Sequence, residues 1–287
     1  MISLIICSRE SDIPQSLKEN IAETIGVEYE LIVIDNSKNR YSIFQAYNIG
    51  VKRANYPHLC FMHEDILYYT KDWGKIVVGH FEDDEVGCIG VIGSHCLPDT
   101  LAYWDNMKPY LSGVVPSVNG ITHSFVRYRE GKTEIPVVTV DGMWFCIKKS
   151  SFEIIRFDES LYNGFHFYDM DISMQVNQIL KKQVLVVFDI LIGHYSHASI
   201  NPLFLTNMNL FYDKWKSKLP MVVGIDDFDS DVFSSLSSLS NYYYICYNAY
   251  YDVCDQNKKL RLSKAYRLGK LILNPFSFVR RKLFEKE

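Results

Sequence analysis

Along the first two thirds of the chain, short apolar runs alternate with amphipathic stretches. Ile2 to Cys7 is apolar and stops at Ser8-Arg9-Glu10, the length of a buried strand. Behind Pro14, which suits a first helical turn, Leu17, Ile21 and Ile25 recur every four residues and predict a helix over 14–25. Tyr29 to Ile34 is a second β-branched run, closed by the loop signal Asp35-Asn-Ser-Lys-Asn39. Residues 42–54 read as a helix with Ser42 placed to cap it. His58 to Met62 is a third strand ending in His63-Glu64-Asp65; a helix over 73–81 and a strand over 86–92 follow. Residues 94–134 have no period and are rich in Tyr, Trp, Pro and Gly, so they read as loops over a site. Pro136 to Val140 reads as a strand running into Asp141-Gly142. A helix opens near Tyr168 and runs to about Lys182, and residues 184–190 form a strand that ends near His194. Residues 201–216 are helical and aromatic; 226–231 are acidic and 234–255 rich in Ser and Tyr.

Strands that alternate with helices predict an α/β fold with a mainly parallel central sheet. In such sheets ligands sit outside the carboxyl ends of the strands. Three predicted strands end there in polar groups: Ser8-Arg9, Asp35 and His63-Glu64-Asp65.

Composition narrows the class. With 287 residues, 48% apolar and 22% charged, the chain is globular and has room for one large domain or two modest ones. The formal charge of −4 argues against a dedicated nucleic-acid binder. That figure hides an asymmetry: residues 258–287 hold ten Lys/Arg against two Glu, so this tail is +8 and the remainder −12. The seven cysteines are odd in number and widely spaced, which fits core thiols in a reducing compartment. The N-terminal run lacks a basic leader, and no apolar stretch is long enough to cross a membrane, so a cytoplasmic protein is expected.

Some motifs are excluded. Gly87, Gly90 and Gly93 lie inside an apolar run at the wrong spacing for a dinucleotide turn. There is no P-loop and no Gly-x-Ser-x-Gly elbow. Other clusters carry chemistry. The carboxylates of His63-Glu64-Asp65 suit Mg²⁺ or Mn²⁺, ions that also bridge phosphates. His194, beyond another strand, can complete a metal site begun by Asp65; the alternative is a structural histidine. His197 and Ser199 follow it. At the predicted helix start, Asp169 and Asp171 should face different sides. Either one caps the helix while the other acts as a general base, or the pair competes with Asp65 for the metal.

Taken together, these pieces resemble a GT-A fold glycosyltransferase of the family 2 type over residues 1–215. The residues that carry the likeness are Ser3 to Arg9, Leu31-Ile-Val-Ile-Asp-Asn-Ser37, Gln45-Ala-Tyr-Asn-Ile-Gly50 with Ala54, His58 to Asp65, Val140-Asp-Gly142, Phe157-Asp-Glu159 with Phe165 to Asp171, and His194 with Ser199. The resemblance implies a nucleotide site at Ser8, Arg9, Asp35, Gln45, Asn48 and Glu64, and a Mn²⁺ or Mg²⁺ ion on Asp65 and His194. It implies donor or acceptor sugar at Asp141, Gly142 and Tyr168, with Asp169 as catalytic base. The chain departs from the family pattern where His63 replaces the first acid of the Asp-x-Asp motif, so Glu64 or His63 would assist Asp65. Tyr168-Asp169 stands where the family has Glu-Asp.

The implied activity is inverting transfer of a sugar from a nucleotide-sugar, a UDP-sugar first, to a saccharide or lipid-linked saccharide. A metal-dependent nucleotide-sugar hydrolase and a binding module without turnover are the alternatives. Residues 216–287 are expected to form a helical C-terminal extension. Its basic amphipathic tail, 258–287, would attach peripherally to an anionic inner membrane face, pack on the domain, or join residues 241–251 in a homodimer interface.

Overall fold

The computed structural model describes residues 1–114, 131–195 and 202–264, together with Tyr266. In chain order the elements are β1 (Ile2–Ser8), α1 (Gln15–Thr24), β2 (Tyr29–Asp35), α2 (Ile43–Arg53), β3 (His58–Met62), β4 (Ile66–Tyr68), α3 (Trp73–His80), β5 (Val86–Gly90), β6 (Ile92–Ser94), β7 (Cys96–Leu97), β8 (Leu111–Gly113), β9 (Glu134–Val137), β10 (Thr139–Val140), β11 (Trp144–Lys148), α4 (Tyr168–Gln175), β12 (Gln183–Val187), β13 (Ile192–His194), α5 (Pro202–Trp215), β14 (Met221–Val222) and α6 (Ser230–Leu262). Contacts divide the chain into two compact units, 1–241 and 242–287. Among the described residues, the first holds every strand. The second, among the described residues, is the distal part of α6. No helix among the described residues is long and apolar enough to cross a membrane.

The central sheet has seven strands in the order β2-β1-β3-β11-β5-β12-β9. Parallel pairing joins β2 to β1, β1 to β3 and β5 to β12, while β11 and β9 run against their neighbours. Five of the seven strands therefore point the same way, the mainly parallel α/β architecture that the pattern predicts. β1 lies inside the sheet and is buried along nearly its whole length, hence an apolar run instead of an alternation. β2 is an edge strand and buries only Ile32 and Ile34.

α2 covers the first three strands. Ser42 caps it: its hydroxyl accepts from Gln45 N–H at 3.3 Å, and Gln45 Oε1 accepts from Ser42 N–H at 3.0 Å. Gly50 lets the helix settle on the sheet, because a Cβ there would stand 2.3 Å from Ile5 Cγ2. Tyr47 on the same face packs on Phe61 and Phe157, with ring centroids 4.9 and 5.2 Å away.

Several elements differ from the sequence expectation. β11 lies between β3 and β5 as a reversed central strand; its five apolar-rich residues follow the Asp141-Gly142 turn directly. The single strand expected over 86–92 breaks at Val91 into β5 and β6, and the one over 136–140 breaks at Val138 into β9 and β10. Residues 94–114 are not all loop, since β6 pairs with both β8 and β10. The helix expected to reach about Lys182 is α-helical only to Gln175. It continues as a π turn over Val176–Leu180 and stops at Lys181, whose φ is +58°. The helical extension expected over 216–287 is borne out in α6, which runs for 33 residues through the Ser- and Tyr-rich stretch.

Candidate active site

At the carboxyl end of β3, three donor atoms converge. His63 N–H donates to Met143 O at 2.9 Å, extending the β3–β11 ladder by one residue and fixing the His63 backbone. His194 arrives on β13, whose antiparallel pairing sets it opposite Ile66, beside Asp65. His194 Nε2 lies 3.3 Å from Asp65 Oδ1 and 3.3 Å from His63 Nδ1, and His63 Nδ1 lies 3.8 Å from Asp65 Oδ1. Donors about 2.1 Å from one ion stand about 3.0–3.5 Å apart. The two distances to His194 lie in that range and the third is slightly longer, so His63, Asp65 and His194 form a group that could hold a divalent cation.

The protonation state of His63 agrees with that arrangement. Burial, reinforced by His194, pushes His63 down to about 4, so its ring is neutral and keeps a lone pair. Burial also acts to lower His194, but the hydrogen bond to Asp65 and the charges of Asp141 and Asp65 outweigh it and hold His194 above its ordinary 6.5.

Glu64 turns away from this trio towards β1. Ser8 Oγ donates to it at 2.5 Å, Arg9 Nε at 2.9 Å and Arg9 N–H at 3.2 Å. The Arg9 guanidinium also reaches within 3.9 Å of Asp65. Asp35 is paired in register with Ser8 and is exposed. Its Oδ1 accepts from the Ser37 hydroxyl at 2.6 Å and from Ser37 N–H at 2.9 Å, which holds its carboxyl below the ordinary range. Ser8, Arg9, Asp35, Glu64 and Asp65 therefore share one edge of the sheet. Gln45 and Asn48 have partners elsewhere. Gln45 completes the α2 cap, and the Asn48 amide exchanges two hydrogen bonds with the Phe157 backbone, at 2.8 and 3.2 Å.

The second wall is the Asp141-Gly142 turn against the start of α4. Asp141 Oδ1 accepts from Met143 N–H at 2.7 Å, and burial pushes its carboxyl up. Gly142 N–H donates to Asp169 Oδ2 at 3.0 Å, and Gly142 O accepts from the Tyr168 hydroxyl at 3.0 Å. A Cβ on Gly142 would stand 2.2 Å from that hydroxyl. His63 Nε2 lies 2.9 Å from the same hydroxyl, so Tyr168 bridges the two walls. Asp169 Oδ1 accepts from Met170 N–H at 2.9 Å. The residue is only 3% exposed, and burial with the nearby charge of Asp141 raises its pKa to about 7.

Asp171 occupies the other side of α4. Its carboxylate receives Lys214 Nζ at 2.9 Å, Trp215 Nε1 at 2.8 Å, Gln175 Nε2 at 2.7 Å and the Tyr162 hydroxyl at 3.2 Å. Asp169 is thus the acid of the pair that faces Gly142, and Asp171 is tied to α5. One contribution goes beyond the sequence reading of His63 as an assistant to Asp65, and another is invisible in the pattern. His63 stands with the cation donors as a full member. Tyr103 is half-buried, and the charges of Asp169 and Asp141 add to desolvation in pushing its hydroxyl up. His197 and Ser199 lie outside the described residues.

A mainly parallel sheet with a cation-donor trio at its strand ends is the architecture of the GT-A fold. The structure of GalNAc-T7 with UDP, GalNAc and Mn²⁺ superimposes with a TM-score of 0.52 over 87% of this chain, at 14% identity; the chain spans 56% of the length of that structure. Similarity also extends to the mannosyltransferase PcManGT from Pyrobaculum calidifontis in complex with GDP-Man and Mn²⁺. There the TM-score is 0.48 and the identity 11%, over 100% of this chain and 88% of that one. S. aureus TarS 1-349 in complex with UDP-GlcNAc gives 0.49 and 13%, over 80% of this chain and 68% of that one. No curated protein sequence matches the chain. Residues 3–202 match the Glycosyltransferase like family, and the chain belongs to it.

Proposed function

We propose that the protein transfers a sugar, with inversion, from a UDP-sugar to a hydroxyl of a saccharide or lipid-linked saccharide. The observation that carries this reading is Asp169, a buried carboxylate poised at about 7 and linked through Gly142 and Tyr168 to the cation donors. A general base works best when its pKa lies near the working pH. Asp169 is therefore the group that takes the proton from the attacking hydroxyl, typically worth about 10²–10⁴-fold.

The nucleotide is assigned to the edge formed by Ser8, Arg9, Asp35 and Glu64. There the Arg9 guanidinium, 77% exposed, offers a cation to an incoming diphosphate. Asp141 and Gly142 are assigned to the sugars between the two walls. Mn²⁺ or Mg²⁺ would be held by Asp65 and His194, and when bound it supplies Lewis-acid neutralisation of the charge that develops on the diphosphate. The departing diphosphate and the base then lie on opposite sides of the sugar, as in-line displacement requires.

The test is Asp169→Asn. Transfer to an acceptor should be abolished while UDP and Mn²⁺ are still bound. Collapse of donor binding would exchange the roles of Asp169 and the cation donors. Release of free sugar by the unaltered protein without any acceptor, at the rate of transfer, would make it a hydrolase.

We further propose a peripheral cytoplasmic location, with the basic tail 258–287 on an anionic lipid surface. Most of that tail lies outside the described residues, and the support is its +8 charge interleaved with apolar side chains. Deleting 258–287 should release the protein from phosphatidylglycerol vesicles and spare turnover on a soluble acceptor. Unchanged vesicle binding would sink the idea.

A further inference from the structure

This inference rests on the reading of Asp169 as the base and concerns what keeps that base in place. We propose that Ser173 is a positioning residue for the transfer: its hydroxyl locks α4 in register with the segment 138–142, so that Asp169 meets the Asp141-Gly142 turn.

Three polar rungs join the helix to that segment. The Asn177 amide donates to Val138 O at 2.8 Å. Val140 N–H donates to Ser173 Oγ at 3.4 Å. Gly142 N–H donates to Asp169 Oδ2 at 3.0 Å. Every second residue of the segment thus meets every fourth residue of the helix, running in opposite directions. The two repeats are commensurate, since two extended residues advance about 6.6 Å and four helical residues about 6.0 Å. Asp169 is the last rung, and a slip of the register would carry its carboxylate away from Gly142.

Ser173 is the rung that fixes the register. Its hydroxyl has a single proton, which goes to Asp169 O at 2.7 Å. Only lone pairs remain for Val140 N–H. One side chain therefore holds both the backbone of the base and the backbone that leads into the turn. A serine that bonds back to the i−4 carbonyl slightly destabilises its own helix, so the hydroxyl is not there for α4 alone. Ser173, Val140 and Val138 are fully buried, and a lost bond would leave a buried polar group unpaired. Asn177 extends the ladder by donating to Ser173 O as well, at 3.2 Å. The other acid of α4, Asp171, is engaged by Lys214 and takes no part.

The experiment uses the full chain, metal-free, as a double-variant cycle read by urea unfolding from pH 5 to pH 9. In the unaltered background the stability difference against Asp169→Asn should level off at the folded pKa of Asp169, about 7. In a Ser173→Ala background the same difference should level off at another pH. Beyond burial, the Asp141 charge raises that value and the Gly142 N–H lowers it, and both ride on the turn that Ser173 positions. Ser173→Thr keeps a hydroxyl for the i−4 carbonyl and should restore the value to about 7. With a UDP-sugar donor and a soluble saccharide acceptor, Ser173→Ala should lose kcat on the order of tenfold while the donor KM stays unchanged. Should Ser173→Ala fail to fold, Asn177→Ala, one rung further from the base, should move the level-off point by less. A level-off point that stays in place in every variant overturns the proposal, whatever the loss of stability. Full transfer by Asp169→Asn would instead overturn the base reading, and the proposal with it, so the two failures are distinguishable.

Discussion

Replacing Asp169 by Asn separates the electrostatic cost of the base from its hydrogen bonds. Asp169 accepts from Gly142 N–H and Met170 N–H, one on each oxygen, at 3.0 and 2.9 Å. Asn has one acceptor oxygen, so one of those N–H groups must face an amide NH₂. That mismatch costs about 1–3 kcal/mol at every pH. The charge term depends on pH. In the unfolded chain the carboxyl ionises at its ordinary 3.8, and in the folded chain at about 7. The folded state therefore holds the proton more tightly. Its contribution is intact below pH 3.8, declines as pH rises, and is lost once pH has passed about 7.

At about 1.36 kcal/mol per pKa unit, a rise of about three units amounts to about 4 kcal/mol of lost stability above pH 7. About 2 kcal/mol of that falls between pH 5 and pH 7. The assay is urea unfolding of both proteins, metal-free, at pH 5, 6, 7 and 8. Asp169→Asn should gain on the unaltered protein by about 2 kcal/mol from pH 5 to 7 and then level off. A difference constant across that range would refute the buried-base reasoning, whatever its absolute size. In parallel, kcat/KM of the unaltered protein should rise about tenfold per pH unit below 7 and flatten above it.

Three further outcomes follow from the same geometry. Lys214→Met strips the cation from Asp171, whose side chain is 1% exposed, and should cost about 3 kcal/mol in urea unfolding at pH 7; the loss should shrink at acid pH, where Asp171 is protonated. His80, with Nδ1 2.5 Å from Glu134 and Nε2 3.1 Å from Asp189, is lowered by burial but raised further by those two carboxylates, to above 6.5. Its stabilisation is full below pH 6.5 and lost as pH climbs through the folded value, so the unfolding gap between the unaltered protein and His80→Gln should narrow from pH 6 to pH 9. Gly142→Ala drives a methyl into the Tyr168 hydroxyl and should lower Mn²⁺ affinity about tenfold by EPR titration, while far-UV circular dichroism stays unchanged.

The frame of this fold is legible because its buried strands are uninterrupted apolar runs and their ends are abruptly polar. Ser8, Asp35 and Asp65 were placed at one edge on that ground, and they lie there. β11 escaped because Trp144 to Lys148 has neither strict alternation nor a polar stop before it, only the Asp141-Gly142 turn. The bounds of α6 within the helical extension expected over 216–287 are not legible, because serines and tyrosines have middling helix propensity and leave no clean apolar stripe. The roles of Asn48 and Gln45 were obscured for another reason. An amide that contacts a nucleotide and an amide that ties a helix to a loop look alike in one sequence, and only the Phe157 and Ser42 partners tell them apart. As a substitute for the first acid of the motif, His63 reads only as an assistant to Asp65. Its full membership depends on where β13 brings His194, a contact across 131 residues that no local pattern carries.

The least conspicuous element of the site is α5, which contributes no catalytic group. Phe167 begins α4 with φ at +70°, a conformation that a bulky residue adopts only under constraint, at a cost on the order of 1–3 kcal/mol. Its ring is held by Phe204 and Phe211 of α5, with centroids 5.2 and 5.6 Å away. Asn207 of the same helix donates to Asn163 O and His166 O, at 2.7 and 3.0 Å, and so pins the loop before it. Lys214 and Trp215 then secure Asp171, one turn into α4. These contacts grip both sides of the short Tyr168-Asp169 step. Tyr168 points to the cation donors and Asp169 to Gly142, so any shift of α4 displaces the proposed base and the His63 partner together. α5 is thus the element that holds the second wall of the site in place.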